Sequence, residues 1–147
     1  MVFAVTTMHV RANNVQDEHS NYPIMSQKIT LSKVDYNVPQ LKLLRDDGKT
    51  VLLSKELNIG RPVILNFICT ICNALCPVST QIFSKLQEKL GADIVKLHMV
   101  SIPIDPEQDT PTRLAEDAHR YRAGRQWQHY IGSTEASIRI QRAFDVY

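Results

Sequence analysis

Asn66-Phe67-Ile68-Cys69-Thr70-Ile71-Cys72-Asn73-Ala74-Leu75-Cys76-Pro77 sets two thiols, Cys72 and Cys76, in a Cys-x3-Cys pair directly behind an apolar run. The run reads as a buried strand and a helical pattern follows at once. Thiols at the end of a strand and the start of a helix sit where the helix dipole stabilises anions. They ionise more easily there, and the thiolate is the form that attacks disulfides and binds soft metals. The pair points to redox chemistry or copper-type ligation.

Working outward, residues 63–68 form a short apolar run that fits a strand closed on both faces. The helix behind the thiols is expected to begin at Pro77, since proline suits a first helical turn. Its buried stripe is expected to be Ile82, Phe83, Leu86 and Leu90, and Gly91 to end it. Residues 94–104 read as a second central strand. A loop over 105–111 follows, where Thr110 and Pro111 make an N-cap and first-turn pair. Leu114, Ala118 and Tyr121 then mark a helix face. Residues 128–131 read as a short strand. Residues 134–144 read as a helix with Ala136, Ile140, Ala143 and Phe144 inward. Upstream, residues 38–44 and 50–53 flank Arg45-Asp46-Asp47-Gly48-Lys49, a hairpin turn signalled by its Asp-Gly pair. Residues 54–59 look like a short helical turn that Gly60 terminates. Strands alternating with helices imply an α/β layered domain with parallel central strands. Residues 1–34 show little periodicity and read as a flexible leader, so the domain is placed at 35–147.

The bulk numbers narrow the function classes. The chain has 147 residues, 44% of them hydrophobic, which suits one globular core. A net charge of +2, without a basic run, gives no argument for nucleic acid. No apolar stretch approaches the ~18 residues of a membrane span, and the first twelve residues make a poor signal peptide. The three cysteines all lie within residues 69–76. That clustering favours a local site over a disulfide framework, with Cys69 the structural thiol left over.

Three segments together resemble the Sco/SenC family: the strand and loop ending in Cys72-Asn73-Ala74-Leu75-Cys76-Pro77; the strand leading into Ser101-Ile102-Pro103-Ile104-Asp105-Pro106-Glu107-Gln108-Asp109-Thr110-Pro111; and Trp127-Gln128-His129-Tyr130-Ile131-Gly132-Ser133 with the helix behind it. The resemblance covers roughly residues 36–147. It implies a thioredoxin-like three-layer domain with an N-terminal β-hairpin. It also implies copper delivery or thiol-disulfide exchange during cytochrome c oxidase assembly. Copper would be held by Cys72 and Cys76. The implied partner is the oxidase copper-site subunit or another copper chaperone. The implied location is extracytoplasmic, in the periplasm or mitochondrial intermembrane space, with membrane association only through a segment outside this sequence.

Two departures qualify the resemblance. Asn73 and Ala74 stand where many members carry proline and an acidic residue. The family's third copper ligand, a histidine in a terminal hairpin, would lie beyond Val146, so the domain is expected to lack the usual C-terminal hairpin and helix. None of His9, His19, His98, His119 or His129 matches that ligand. Three functions stay open on the sequence: a copper chaperone, a thiol-disulfide oxidoreductase using Cys72 and Cys76 as a redox pair, and a truncated paralogue without a copper site. Asp109 and Glu107 read as acidic residues near the positive end of a helix. Arg120, Arg122 and Arg125 read as a solvated face.

Overall fold

A computed structural model describes residues 34–71 and 76–146, without the side chains of Cys76 and Pro77. The chain divides into Met1–Val34 and Asp35–Tyr147; the expected flexible leader lies, except for Val34, outside the described residues. In chain order the second unit contains β1 (Lys42–Arg45), β2 (Thr50–Leu52), α1 (Leu53–Glu56), β3 (Val63–Ile68), α2 (Cys76–Leu90), β4 (His98–Pro103), α3 (Pro111–Arg120), β5 (Trp127–Ile131) and α4 (Thr134–Ala143). The five strands form one mixed sheet in the order β2-β1-β5-β4-β3. β3, β4 and β5 run parallel, while β1 is antiparallel to both β5 and β2. This is the α/β layering that the alternation of strands and helices implies, and the thioredoxin-like arrangement that the family resemblance implies.

β4 decides the layering. All six of its residues are buried, and alternate side chains leave opposite faces of a strand. Val100 and Ile102 pack with Leu43, Leu53, Tyr130, Ala136 and Ile140, which belong to the hairpin, α1, β5 and α4. Met99 faces the other way and packs with Phe83 and Trp127, joined by Leu86 of α2 and by Tyr121 and Ala123 at the end of α3. Helices therefore cover both faces of the sheet, the three-layer order expected.

Three sequence readings need correction. β3 packs on both faces, with Val63, Leu65 and Phe67 against one cluster and Ile64 against the other, but it is the outer strand of the sheet and is only half-buried from Val63 to Phe67. An apolar run alone cannot separate an edge strand from a central one, because the neighbour comes from elsewhere in the chain. The second central strand does not start at residue 94. Gly91, with φ +50°, ends α2 and opens a 3-10 turn, Gly91–Lys96; Ile94 and Leu97 pack from this turn against the Phe83, Met99 and Trp127 cluster. Ile82 is exposed rather than inward, because the stripe through Phe83 and Leu86 already meets the sheet and leaves Ile82 on the flank.

Two glycines are demanded by geometry. Gly48 takes φ +80° in the hairpin turn, where a side chain is strained. At Gly132 an added Cβ would lie 2.7 Å from Leu43 Cδ2 and 2.9 Å from the Ala136 Cβ. This is where β5 hands over to α4, whose start is capped by Ser133 Oγ accepting from the Ala136 N–H at 3.2 Å.

A polar network ties the hairpin to the sheet. Arg45 donates to both carboxyl oxygens of Asp47, at 3.0 and 2.7 Å, and to Glu56 Oε2 at 3.1 Å. The Tyr130 hydroxyl donates to the same Glu56 oxygen at 2.7 Å and lies 3.1 Å from His98 Nε2. Burial, with Arg61 nearby, pushes the His98 imidazole below its usual value.

Two outcomes follow for stability. Ile140→Ala and Gly132→Ala are expected to cost about 2–5 and about 1–3 kcal/mol, by cavity and by overpacking; chemical denaturation measures both, and a loss under half a kcal/mol (roughly) at either would contradict the packing described. His98 should also make the fold sensitive to acid. Its folded pKa lies below the unfolded value near 6.5, so its contribution is full above that value and declines as pH falls below it toward the folded one. The melting temperature should drop between about pH 7.5 and about pH 5.5, and less steeply in His98→Gln. Equal slopes for the two proteins would rule His98 out as the cause.

Candidate functional site

The dithiol segment starts where β3 leaves the sheet. Ile68 and Cys69 are buried, and Ile71 is exposed. Cys76 is the first backbone position of α2, a helix of 15 residues. Cys72 and residues 73–75 lie outside the described residues, as does the Cys76 side chain. What is described places Cys76 at the helix end where backbone N–H groups are unpaired by the helix itself and the dipole is positive. Such a position lowers a thiol pKa. Cys69, 6% exposed, belongs to the interior.

The chain entering this segment is held from across the fold. Asp109 Oδ1 accepts hydrogen bonds from the Thr70 backbone N–H at 2.7 Å and from the Thr70 hydroxyl at 2.5 Å. Asp109 is fully buried, and its other oxygen, Oδ2, has no hydrogen-bond partner among the described residues. Asp109 does stand just ahead of α3, as the sequence indicates, but as a buried acceptor for Thr70 and not only as a charge beside the helix start. Thr110 and Pro111 already perform the capping, with Thr110 accepting from the Arg113 N–H. An aspartate one position ahead of a filled cap, without a capping task of its own, was the signal available in the sequence. Its partner Thr70, 39 residues away, left none.

Beside Thr70 and Ile71 an open polar cleft of about 340 Å³ is lined by Arg113, Glu116, Asp117 and Arg120 of α3. Burial raises the Asp117 carboxyl above its usual range, with Asp109 adding to the rise and His129 and Arg120 opposing it. Ile71, three residues past the end of β3, and Val78 and Ile82 in the first half of α2 are exposed apolar residues. Arg120, Arg122 and Arg125 are exposed, as the sequence indicates.

The described histidines are not arranged as a ligand set. His98 is engaged with Tyr130. His119 is exposed on α3. His129 lies fully buried on β5, stacked on Trp127 with ring centroids 5.6 Å apart, and its Nδ1 is 3.5 Å from Asp46 Oδ2. Asp46 also accepts the His129 backbone N–H at 2.9 Å. Burial works against ionisation of Asp46, but its bonds with His129 prevail and hold the carboxyl below the ordinary range. Among the described residues no group of three or more His, Cys, Asp or Glu side chains could hold a metal ion. No helix among them is long and apolar enough to cross a membrane.

Set beside known proteins, residues 32–147 match the SCO1/SenC family model. The SCO1 protein homolog of Bacillus subtilis is 31% identical over 106 residues, covering 71% of this chain and 54% of that protein. The structure of Bradyrhizobium japonicum ScoI with copper bound superimposes with a TM-score of 0.64 at 25% identity, covering 71% of this chain and 64% of that one. BsSco, a Sco-family cytochrome c oxidase assembly protein with a disulfide switch, gives a TM-score of 0.64 at 28% identity and covers 75% of this chain and 64% of its own. The chain spans about half the length of the curated relatives it matches. By the family match over residues 32–147, the chain belongs to the SCO1/SenC family.

Proposed function

We propose that this chain handles copper as Cu(I) in the assembly of cytochrome c oxidase, with the thiolates of Cys72 and Cys76 as its ligands. The observation that carries the reading is the position of the Cys-x3-Cys pair, between the end of β3 and the first residue of α2. Copper is the cargo, and the donor set fits it: two thiolates are soft ligands, which select Cu(I) over harder cations. The buried His129 and the engaged His98 offer that set no imidazole. Family membership and the copper-bound relative support the same cargo. The receiving partner in this reading is the oxidase copper-site subunit or another copper chaperone. Its setting is extracytoplasmic, the periplasm or the mitochondrial intermembrane space.

A second reading, thiol-disulfide exchange, is favoured by the disulfide switch of the relative BsSco. One thiolate attacks a partner disulfide and forms a mixed disulfide, releasing one partner thiol. The second thiolate then displaces the other partner sulfur. Two electrons and two protons pass to the partner, and the Cys72–Cys76 disulfide remains. The exposed apolar residues Ile71, Val78 and Ile82 suit a protein partner in either reading.

Two measurements test these readings. The reduced protein should bind one Cu(I) in competition with a chromophoric chelator, and Cys72→Ser/Cys76→Ser should abolish that stoichiometric binding; tight binding retained in the double variant would sink the assignment. Mild oxidation should link Cys72 to Cys76 and leave Cys69 reduced, given that closure needs Cα atoms within about 7 Å. Peptide mapping that finds Cys69 in the dominant disulfide would contradict it.

A further inference from the structure

We propose that Asp109 is a positioning residue for the dithiol, acting through Thr70 to fix the path by which the chain enters Cys72. The proposal rests on the dithiol reading above and adds to it a group outside the pair that holds the residue leading into it. Thr70 stands two residues past the end of β3 and two before Cys72. Its N–H and its hydroxyl both go to one oxygen, Asp109 Oδ1.

The loop that carries Asp109 is held by α3, α4 and its own turn. The Asp109 N–H donates to the Asp105 carbonyl at 2.9 Å. From α4, Ser137 Oγ donates to the Pro103 and Ile104 carbonyls, each at 3.1 Å; the two carbonyls share its single proton. Gln141 Nε2 donates to the Ile104 carbonyl at 3.0 Å, and Thr134 Oγ1 to Glu107 Oε1 at 3.0 Å. From α3, the Arg113 guanidinium donates to the Gln108 carbonyl at 3.1 Å. The loop also meets β3 directly, where the Ile104 N–H donates to the Ile68 carbonyl at 2.9 Å. A loop pinned at this many points presents Asp109 as a rigid acceptor, and Thr70 is the group it holds.

The energetic oddity of Asp109 points the same way. A carboxyl with no exposure, and with one oxygen unpartnered among the described residues, is costly to bury. A buried polar group of this kind calls for a structural or functional reason. Here the bonds made in return go to the segment that feeds Cys72 and not to a regular element. Disulfide closure and two-sulfur ligation both need the sulfur atoms within a narrow range of separation. Releasing Thr70 adds backbone freedom that must be removed again whenever the two sulfurs engage together. The expected consequence is a weaker pair and not merely a less stable fold.

The test compares Asp109→Ala, Asp109→Asn, Thr70→Val and Thr70→Ser with the unaltered full chain, all at a temperature where each is folded. The readouts are the Cys72–Cys76 dithiol–disulfide equilibrium in a glutathione buffer and the Cu(I) affinity by chelator competition. Asp109→Ala should lower both by about tenfold, equivalent to about 30 mV in the two-electron potential. Thr70→Val, which loses only the hydroxyl, should fall in between. Thr70→Ser and Asp109→Asn, which keep the hydroxyl donor and the acceptor oxygen, should stay within about threefold. Leu53→Ala, a core lesion in α1, should lower the melting temperature and leave the dithiol equilibrium unchanged. If Asp109→Ala does not fold, the contrast of Thr70→Val with Thr70→Ser decides. Values for Asp109→Ala and Thr70→Val within about twofold of the unaltered chain would overturn the proposal, whatever their melting temperatures. A shifted disulfide equilibrium in a chain that binds no Cu(I) would reject the copper reading and keep the positioning role.

Discussion

β4 is the strand on which the rest of the molecule depends. It is paired on both edges and covered on both faces, so six consecutive residues are removed from water. Such a strand fixes its neighbours by register: Asn66, Ser101 and His129 stand side by side across β3, β4 and β5. Ser101 Oγ donates to Asn66 Oδ1 at 2.6 Å and accepts from Trp127 Nε1 at 2.9 Å. A one-residue slip would turn this polar row toward the opposite layer and bring Val100 and Ile102 out of theirs. Register and layering are thus one constraint, satisfied at once.

The same strand sets the site. Its C-terminal end delivers the Asp105 to Thr110 loop to the end of the sheet where β3 releases the dithiol segment. Functional groups gather at strand ends of α/β sheets because loops there are free to vary while the sheet stays rigid. α2 adds the positive end of its dipole at Cys76, and α3 adds a charged cleft beside Thr70 and Ile71. Each contribution comes from a different element, and β4 is what keeps them in register with one another.

Much of this was legible in the sequence, for local reasons. The Asp-Gly turn, the Thr110-Pro111 cap and the Ala136 and Ile140 stripe all depend on residues within a few positions of each other, and the structure has them where the pattern puts them. The Cys-x3-Cys pair is legible as a spacing, and its position between β3 and α2 agrees with the strand and helix read around it. What could not be read was relational. β3 looks central by composition and is an edge by topology. His129 falls inside the short strand that the sequence reads at 128–131, but its closure by Trp127 and Asp46 comes from residues the strand pattern does not show. Asp109 reads only as an acidic residue near a helix start, because the partner that draws it inward, Thr70, is remote along the chain. Periodicity reports which face a residue takes, and only the assembled sheet reports what waits on that face.

The central claim is that two sulfur atoms, those of Cys72 and Cys76, hold copper in this chain. Copper K-edge X-ray absorption on the Cu(I)-loaded, full-length sequence observes the ligand atoms directly. The account predicts a first shell made of sulfur, with two sulfur scatterers and no imidazole contribution. A shell dominated by nitrogen or oxygen would contradict it, as would a sulfur shell that persists unchanged in Cys72→Ser/Cys76→Ser.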